Sequence, residues 1–314
     1  MPVRSKWQSL PTEAINPATL ALDKQSAADI VEEMLAEDRK MLAAVQREKD
    51  RIAVGIDIIT QALRKGGRII FVGAGTSGRL GIVESAEMPP TFGTSPELVQ
   101  AIMAGGKSAI LKPKEGVEDN YEEGARAITR LRPAKHDVVV GVSASGMTPF
   151  VRGALTRARR ASSKIIFVTC DPRTELQTFV DLTIAPGVGP EVIAGSTRLK
   201  AGTATKIVLN MLTTGAMVRI GKTYGNLMVD VQTGSEKLRD RARRIITIVT
   251  GLEYDETDKL LRRAHWNVKA AIVMQKSGLT YPQSLSRLRR AHNSVREAIG
   301  EDVEARLKEL LGIA

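Results

Sequence analysis

The chain has 314 residues, 43% of them hydrophobic, which is enough for a sizeable core in one large domain or two to three smaller ones. Only 4% are aromatic, which argues against a surface that stacks nucleic-acid bases, and the formal net charge of +11 favours anionic partners such as phosphorylated metabolites. Cys170 is the only cysteine, so an intrachain disulfide is excluded and a reducing compartment fits.

In chain order, residues 1–23 read as an extended arm rich in Pro, Thr and Asn, without the apolar run of a secretory signal. A helical pattern follows over 26–64, with Ile30, Met34, Leu42, Val45, Ile52, Ile56, Ile59 and Leu63 on its apolar face and Gly66–Gly67 as its stop. No uncharged apolar stretch reaches the roughly 18 residues of a membrane-spanning helix, so a cytoplasmic protein is expected.

Five short apolar runs come next: "RIIFVG", "ELVQAIMAG", "HDVVVGVSASG", "KIIFVTCD" and "VDLTIAP". Helical patterns at 77–88, 117–131, 148–160 and 173–178 lie between most of them. Near-continuous apolar strands alternating with helices predict an α/β fold with a doubly wound parallel sheet of five strands. A helix over 196–221 follows. Residues 238–314 read as short helices broken at Gly251 and turned at Gly278 and Pro282, with Leu252, Leu260, Leu261, Ala264, Val268, Ala271, Ile272 and Met274 as the core of a small all-helical domain. The expected organisation is an arm and long helix (1–64), a sheet domain (65–236) and a helical domain (237–314), with no solenoid period. The clustered arginines (157, 159, 160; 239, 241, 243, 244; 287, 289, 290) read as solvated helix faces.

Gly73, Gly75 and Gly78 in "FVGAGTSGRLGIVESAEMPP" spell G-x-G-x-x-G. A dinucleotide site would also need an acidic residue about 20 positions on, at the end of the second strand. That strand ends "IMAGG", with no carboxylate. The third strand ends similarly to the first, in "GVSASGMTP", so two Gly/Ser/Thr loops lead into helices. Helix N-termini with unpaired N–H groups suit a phosphate, and Gly75, Thr76, Ser77, Ser143, Ser145 and Thr148 could hold one. The alternative is that Ser77 and Thr148 only cap their helices.

Metal-ligand spacing is absent among His136, His265 and His292, no G-x-S-x-G occurs, and Cys170 reads as a small buried group. Carboxylates remain for acid–base work. Glu87, just before Pro89–Pro90, is expected at a helix C-terminus, where the dipole disfavours the charged form and suits an acid. Glu115, Glu118 and Asp119 in "EGVEDN" are expected around the start of the next helix, where the dipole favours a carboxylate and suits a base. Ordinary charge decoration of helix ends is the competing reading.

The stretch "GAGTSGRLGIVESAEMPPTFG" resembles the signature of N-acetylmuramic acid 6-phosphate etherases. "LPTEAINPATLALD", "EGVEDN", "VVVGVSASGMTPFV", "GSTRLKAGTATKIVLNMLTTGAMVRIGKTYGNLMVDV" and "NVKAAIVM" extend that resemblance over nearly the whole chain. Glucokinase regulatory proteins are related but carry two sugar isomerase (SIS) domains, where this chain fits one. The resemblance implies an SIS-type sugar-phosphate-binding domain, a C-terminal domain similar to a ubiquitin-associated fold, a homodimer with interfacial active sites, and no metal or organic cofactor. It implies cleavage of the D-lactyl ether of the phosphorylated amino sugar by elimination and water addition, releasing D-lactate during cell-wall amino-sugar recycling.

On the family's motif Glu87 matches the proton donor to lactate and Glu118 the second catalytic carboxylate, the base. Thr76, Ser77, Ser143, Ser145 and Thr148 match the sugar-phosphate loops, and "GSTRLKAGT" would add Ser196, Arg198 and Lys200. Glu84, Met88 and Met147 stand where the family usually has Asp, Cys and often Arg. A non-catalytic sugar-phosphate sensor is the rival reading. Nucleic-acid binding would rest on net charge alone.

Overall fold

A computed structural model describes residues 10–313, so the first nine residues of the expected arm lie outside it. The chain falls into two compact units: residues up to Ala86 with Glu97–Thr214, and Glu87–Pro96 with the residues from Gly215 on.

The first unit opens with short 3-10 turns between Pro11 and Lys24. The expected single helix over 26–64 is two, α1 (Ala27–Arg47) and α2 (Lys49–Arg64), broken at Glu48, whose carboxylate accepts the Ala185 amide at 3.0 Å. Five parallel strands follow: β1 (Ile69–Gly73), β2 (Val99–Met103), β3 (Val138–Val142), β4 (Lys164–Val168) and β5 (Leu182–Ile184). Their order is β2-β1-β3-β4-β5, with Ile69 paired to both Val99 and Val138. Every residue of β1 and β3 is buried, which is why these strands read as unbroken apolar runs. On one face Ile70, Val72, Val139, Ile165 and Phe167 pack with Ala127 and Ile128 of α5 (Tyr121–Arg130) and with Phe150, Val151, Ala154 and Leu155 of α6 (Pro149–Arg160). Each large apolar side chain buried there contributes about 1.5–3 kcal/mol. Helix α2 packs against β3 and β5.

Between β1 and β2 runs α3 (Gly75–Phe92), and between β2 and α5 a single turn, α4 (Ser108–Leu111). The expectation that Pro89–Pro90 end α3 is corrected: the helix continues through both. Each proline removes one N–H from the ladder, but Met88 and Phe92 are buried on the last turns. The true stop is Gly93, at φ 60°, whose amide donates to the Pro89 carbonyl at 2.9 Å. Helix α7 (Lys200–Arg219) begins in this unit. Glu84 of α3 is buried and accepts from Asn210 Nδ2 of α7 at 2.7 Å and from the Thr213 hydroxyl, so the longer acid in place of Asp has an internal task.

The second unit is helical: α8 (Glu236–Thr250), α9 (Tyr254–Arg263), α10 (Val268–Ser277), α11 (Tyr281–Arg290), α12 (Val295–Ile299) and α13 (Glu304–Leu311). Leu260, Leu261, Ala264, Val268, Ala271, Ile272 and Met274 are in its buried core, with Leu252 at the margin, as the sequence predicts. Gly251 and Gly278 end α8 and α10 in the left-handed conformation. Buried Lys269 pairs with Asp230 at 2.6 Å.

One relation within this unit has no counterpart in the sequence expectations. "LRRAHWNVKAAI" (261–272) and "LRRAHNSVREAI" (288–299) are two copies of one helix–turn–helix. Each turn places two successive residues at positive φ, His265 and Trp266 in one, His292 and Asn293 in the other. Each second helix is capped through a side chain, Asn267 accepting from the Ala270 amide and Ser294 from that of Glu297.

Candidate active site

Strand β1 turns into α3 within one residue. A Cβ on Gly73 would lie 2.6 Å from the Gly78 nitrogen, and one on Gly78 would lie 2.9 Å from the Gly73 carbonyl oxygen. These two glycines therefore let the helix start directly over the strand end. Ala74, Gly75, Thr76 and Ser77, on this first turn with its unpaired N–H groups, line a cavity of about 360 Å³.

The loop after β3 forms another wall, through Ser143, Ala144, Ser145 and Thr148. Thr148 occupies the N-cap position of α6, but its hydroxyl caps nothing; it lies 2.7 Å from the Ser143 hydroxyl. The capping-only alternative therefore fails at Thr148. The Met147 amide donates to Ser145 Oγ at 3.4 Å. Met147 itself is exposed and does not line this cavity.

A third wall comes from the segment after β2: Met103, Ala104, Ala109, Pro113, Lys114, Val117 and Glu118. Glu118 is half-buried in a 3-10 turn, Val117–Asp119, one residue before the Asn120 cap of α5. The cavity thus lies at the carboxyl ends of β1, β2 and β3, where the strand order reverses, the usual ligand position of such sheets. No carboxylate stands at the end of β2 to hold a ribose, which disfavours the dinucleotide reading.

Gly75, Thr76, Ser77, Ser143, Ser145, Thr148 and Glu118 are thus brought together. Sequence reasoning missed three charged lining residues. Arg79 donates from Nε to the Ile110 carbonyl and from Nη2 to that of Ala109, both at 2.8 Å, and so ties α3 to α4. Lys114 reaches back to the Gly105 carbonyl at 3.4 Å. Glu13 comes from the arm, with Leu10. Only the place of Arg79 directly after the glycine motif could have signalled it.

The other sequence candidates stand elsewhere. Thr197 lines the cavity, while its neighbours Ser196 and Arg198 do not. Lys200 is buried at the start of α7 with its ammonium bonded to Glu37, and it is not among the lining residues. Burial opposes ionisation of Glu37, but the hydrogen bonds from Lys200 and Lys40 outweigh it and hold its carboxyl below the usual range. Glu191, fully buried, accepts the Lys200 and Ala201 amides at 2.9 Å and caps α7; burial pushes its carboxyl upward despite those bonds. Cys170 is buried, and burial, aided by the charge of Glu191, pushes its thiol up to about 12.

Glu87 is exposed, belongs to the second unit and is not among the lining residues. Because α3 runs on to Phe92, Glu87 lies more than a turn inside the helix, and the helix-end argument for an acid there loses its basis. Among the described residues no group of three His, Cys, Asp or Glu side chains could hold a metal ion.

The model for the glucokinase regulatory protein N-terminal SIS domain matches residues 51–159. An N-acetylmuramic acid 6-phosphate etherase from Salinibacter ruber is 50% identical over 268 residues, covering 85% of this chain and 86% of the relative. That of Trichodesmium erythraeum is 48% identical over 266 residues, covering 85% and 87%. Among solved structures, a phosphoheptose isomerase from Francisella tularensis is similar over 62% of this chain and 100% of its own, at 17% identity and a TM-score of 0.49.

Proposed function

The chain belongs to the N-acetylmuramic acid 6-phosphate etherase family, and from that premise we propose how its residues divide the chemistry. The protein is a carbon–oxygen lyase that cleaves the D-lactyl ether of N-acetylmuramic acid 6-phosphate, giving N-acetylglucosamine 6-phosphate and D-lactate. The names of these relatives favour the enzyme over a sugar-phosphate sensor.

In our reading the 6-phosphate rests on the first turn of α3 and on the hydroxyls of Thr76, Ser77, Ser143, Ser145 and Thr148. The open-chain aldehyde acidifies the hydrogen on C2. Glu118 takes that proton, and the C3–O bond breaks as the C2–C3 double bond forms. Glu87 gives a proton to the departing lactyl oxygen, and water then adds across the double bond. Each proton transfer of this kind contributes about 10²–10⁴-fold. The observation that carries the reading is the convergence of seven candidate residues from three strand ends, Glu118 among them, on one cavity.

The assignment of Glu87 rests on the family motif. We also propose a homodimer in the cytoplasm. No helix among the described residues is long and apolar enough to cross a membrane.

Deuterium exchange separates the two acids. Glu87→Gln should abolish D-lactate release yet still exchange the C2 hydrogen of the product with deuterated water, whereas Glu118→Gln should lose both. Loss of C2 exchange in a folded Glu87→Gln variant would overturn the division.

A further inference from the structure

The reaction contains a proton transfer to which neither Glu87 nor Glu118 is assigned. The sugar is closed by its C1–O5 bond, and only the open aldehyde makes the C2 hydrogen acidic. We propose that Glu13 is the acid–base group that opens the ring; the inference rests on the etherase reading above.

Among the described residues, Glu13 is the one carboxylate besides Glu118 on the cavity wall. It stands on a 3-10 turn, Pro11–Glu13, and its amide donates to the Leu10 carbonyl at 3.1 Å. That turn is fastened to the segment before α7. The Gly195 amide donates to the Thr12 carbonyl at 3.1 Å, Asn16 Nδ2 to the Pro190 carbonyl at 3.3 Å, and the Thr19 hydroxyl to the Val192 carbonyl at 2.9 Å. Thr12 is buried, so the backbone beneath Glu13 is fixed.

The carboxylate itself has no hydrogen-bond or ion-pair partner among the described residues. Gly195 keeps its place clear: a Cβ there would lie 3.1 Å from Glu13 Oε2. An unpaired, solvent-accessible carboxylate on a fixed wall suits proton exchange with a bound sugar and with water, and no salt bridge need break first.

In the step itself, the Glu13 carboxylate takes the proton of the C1 hydroxyl. The freed electron pair forms the C1 carbonyl, the C1–O5 bond breaks, and O5 takes a proton from water. The hydroxide so formed removes the proton from Glu13 as water, which restores the carboxylate. No oxidant or further reactant is needed.

Ring opening is read independently of ether cleavage, by magnetisation exchange between the α and β anomers of N-acetylglucosamine 6-phosphate bound to the full chain. The wild type should accelerate this exchange, and Glu13→Gln should cut the acceleration and the rate of lactate release by at least about 10²-fold. The affinity of Glu13→Gln for this product should stay within about threefold of the wild type, since the phosphate contacts remain. Glu118→Gln should show the opposite pattern, keeping anomer exchange while losing C2 exchange. Glu13→Asp, which keeps the charge but not the reach, should lie between wild type and Glu13→Gln, and it serves if the Gln variant does not fold. Wild-type anomer exchange in a folded Glu13→Gln or Glu13→Asp variant overturns the proposal. So does a loss fully explained by weaker product binding. Absence of lactate release from the wild type would instead refute the etherase reading, with anomer exchange still measurable.

Discussion

The guanidinium of Arg79 donates to the carbonyl oxygen of Ile110 at 2.8 Å, with a second bond of the same length to Ala109. The residue directly after the glycine motif thus pins the single turn that begins the segment carrying Glu118. Hydrogen bonds from a charged donor are worth about 1.5–3 kcal/mol each. Arg79→Ala is therefore expected to lower kcat by about 10–10²-fold with a smaller change in KM, while Arg79→Lys, which can keep one bond, should lose less. Steady-state kinetics decides this; an equal rise in KM with kcat unchanged would assign Arg79 to substrate binding instead.

Gly78 meets Met103 as well as Gly73: a Cβ on it would lie 2.7 Å from Met103 Cγ and 2.9 Å from the Gly73 carbonyl oxygen. The methionine can shift but the backbone carbonyl cannot do so freely. Gly78→Ala should cost about 1–3 kcal/mol, as overpacked sites do, and should weaken sugar-phosphate binding because the first turn of α3 must lift. Urea unfolding and product titration measure the two effects. Wild-type values in both would show that the glycine is not required by this contact.

Glu37 and Lys200 form a buried ion pair. Glu37→Gln leaves the ammonium buried without its charge partner, which typically costs about 3–5 kcal/mol. Because the folded carboxyl titrates below its ordinary value, its contribution is present above the unfolded pKa of about 4.3 and is lost as pH falls through the lower folded value. The stability gap between wild type and Glu37→Gln should therefore be largest near neutrality and shrink below about pH 4. Chemical denaturation at several pH values tests it; a gap independent of pH would contradict the pairing.

Cys170, with its thiol pushed up to about 12 by burial, should not react with a thiol reagent at pH 8 in the native state. It should react once, and completely, after denaturation. Rapid labelling of the folded protein would refute its burial.

The sheet was legible because β1 and β3 are buried on both faces and so read as plain apolar runs. The two hydroxyl loops were legible because a strand, a glycine turn and a helix follow one another locally. What escaped depended on distance along the chain. Lys200 lies in a stretch rich in polar and basic residues, yet its partner is 163 positions away and draws it into the interior. Glu13 reaches the cavity only because the arm hydrogen-bonds to Pro190, Val192 and Gly195. The end of α3 was misplaced because tertiary burial of Met88 and Phe92 outweighs two prolines. The repeated "LRRAH" was readable, but its meaning lies in matching left-handed turns that only the backbone reveals.

The central claim is that the cavity at the ends of β1, β2 and β3 holds a sugar by its phosphate for ether cleavage. The most direct measurement is the rate of D-lactate release from N-acetylmuramic acid with and without its 6-phosphate. Binding energy at a remote phosphate raises turnover as well as affinity. The account predicts release from the phosphorylated sugar and kcat/KM at least about 10³-fold lower without the phosphate. Comparable rates for the two sugars, or no lactate from the phosphorylated one, would contradict it.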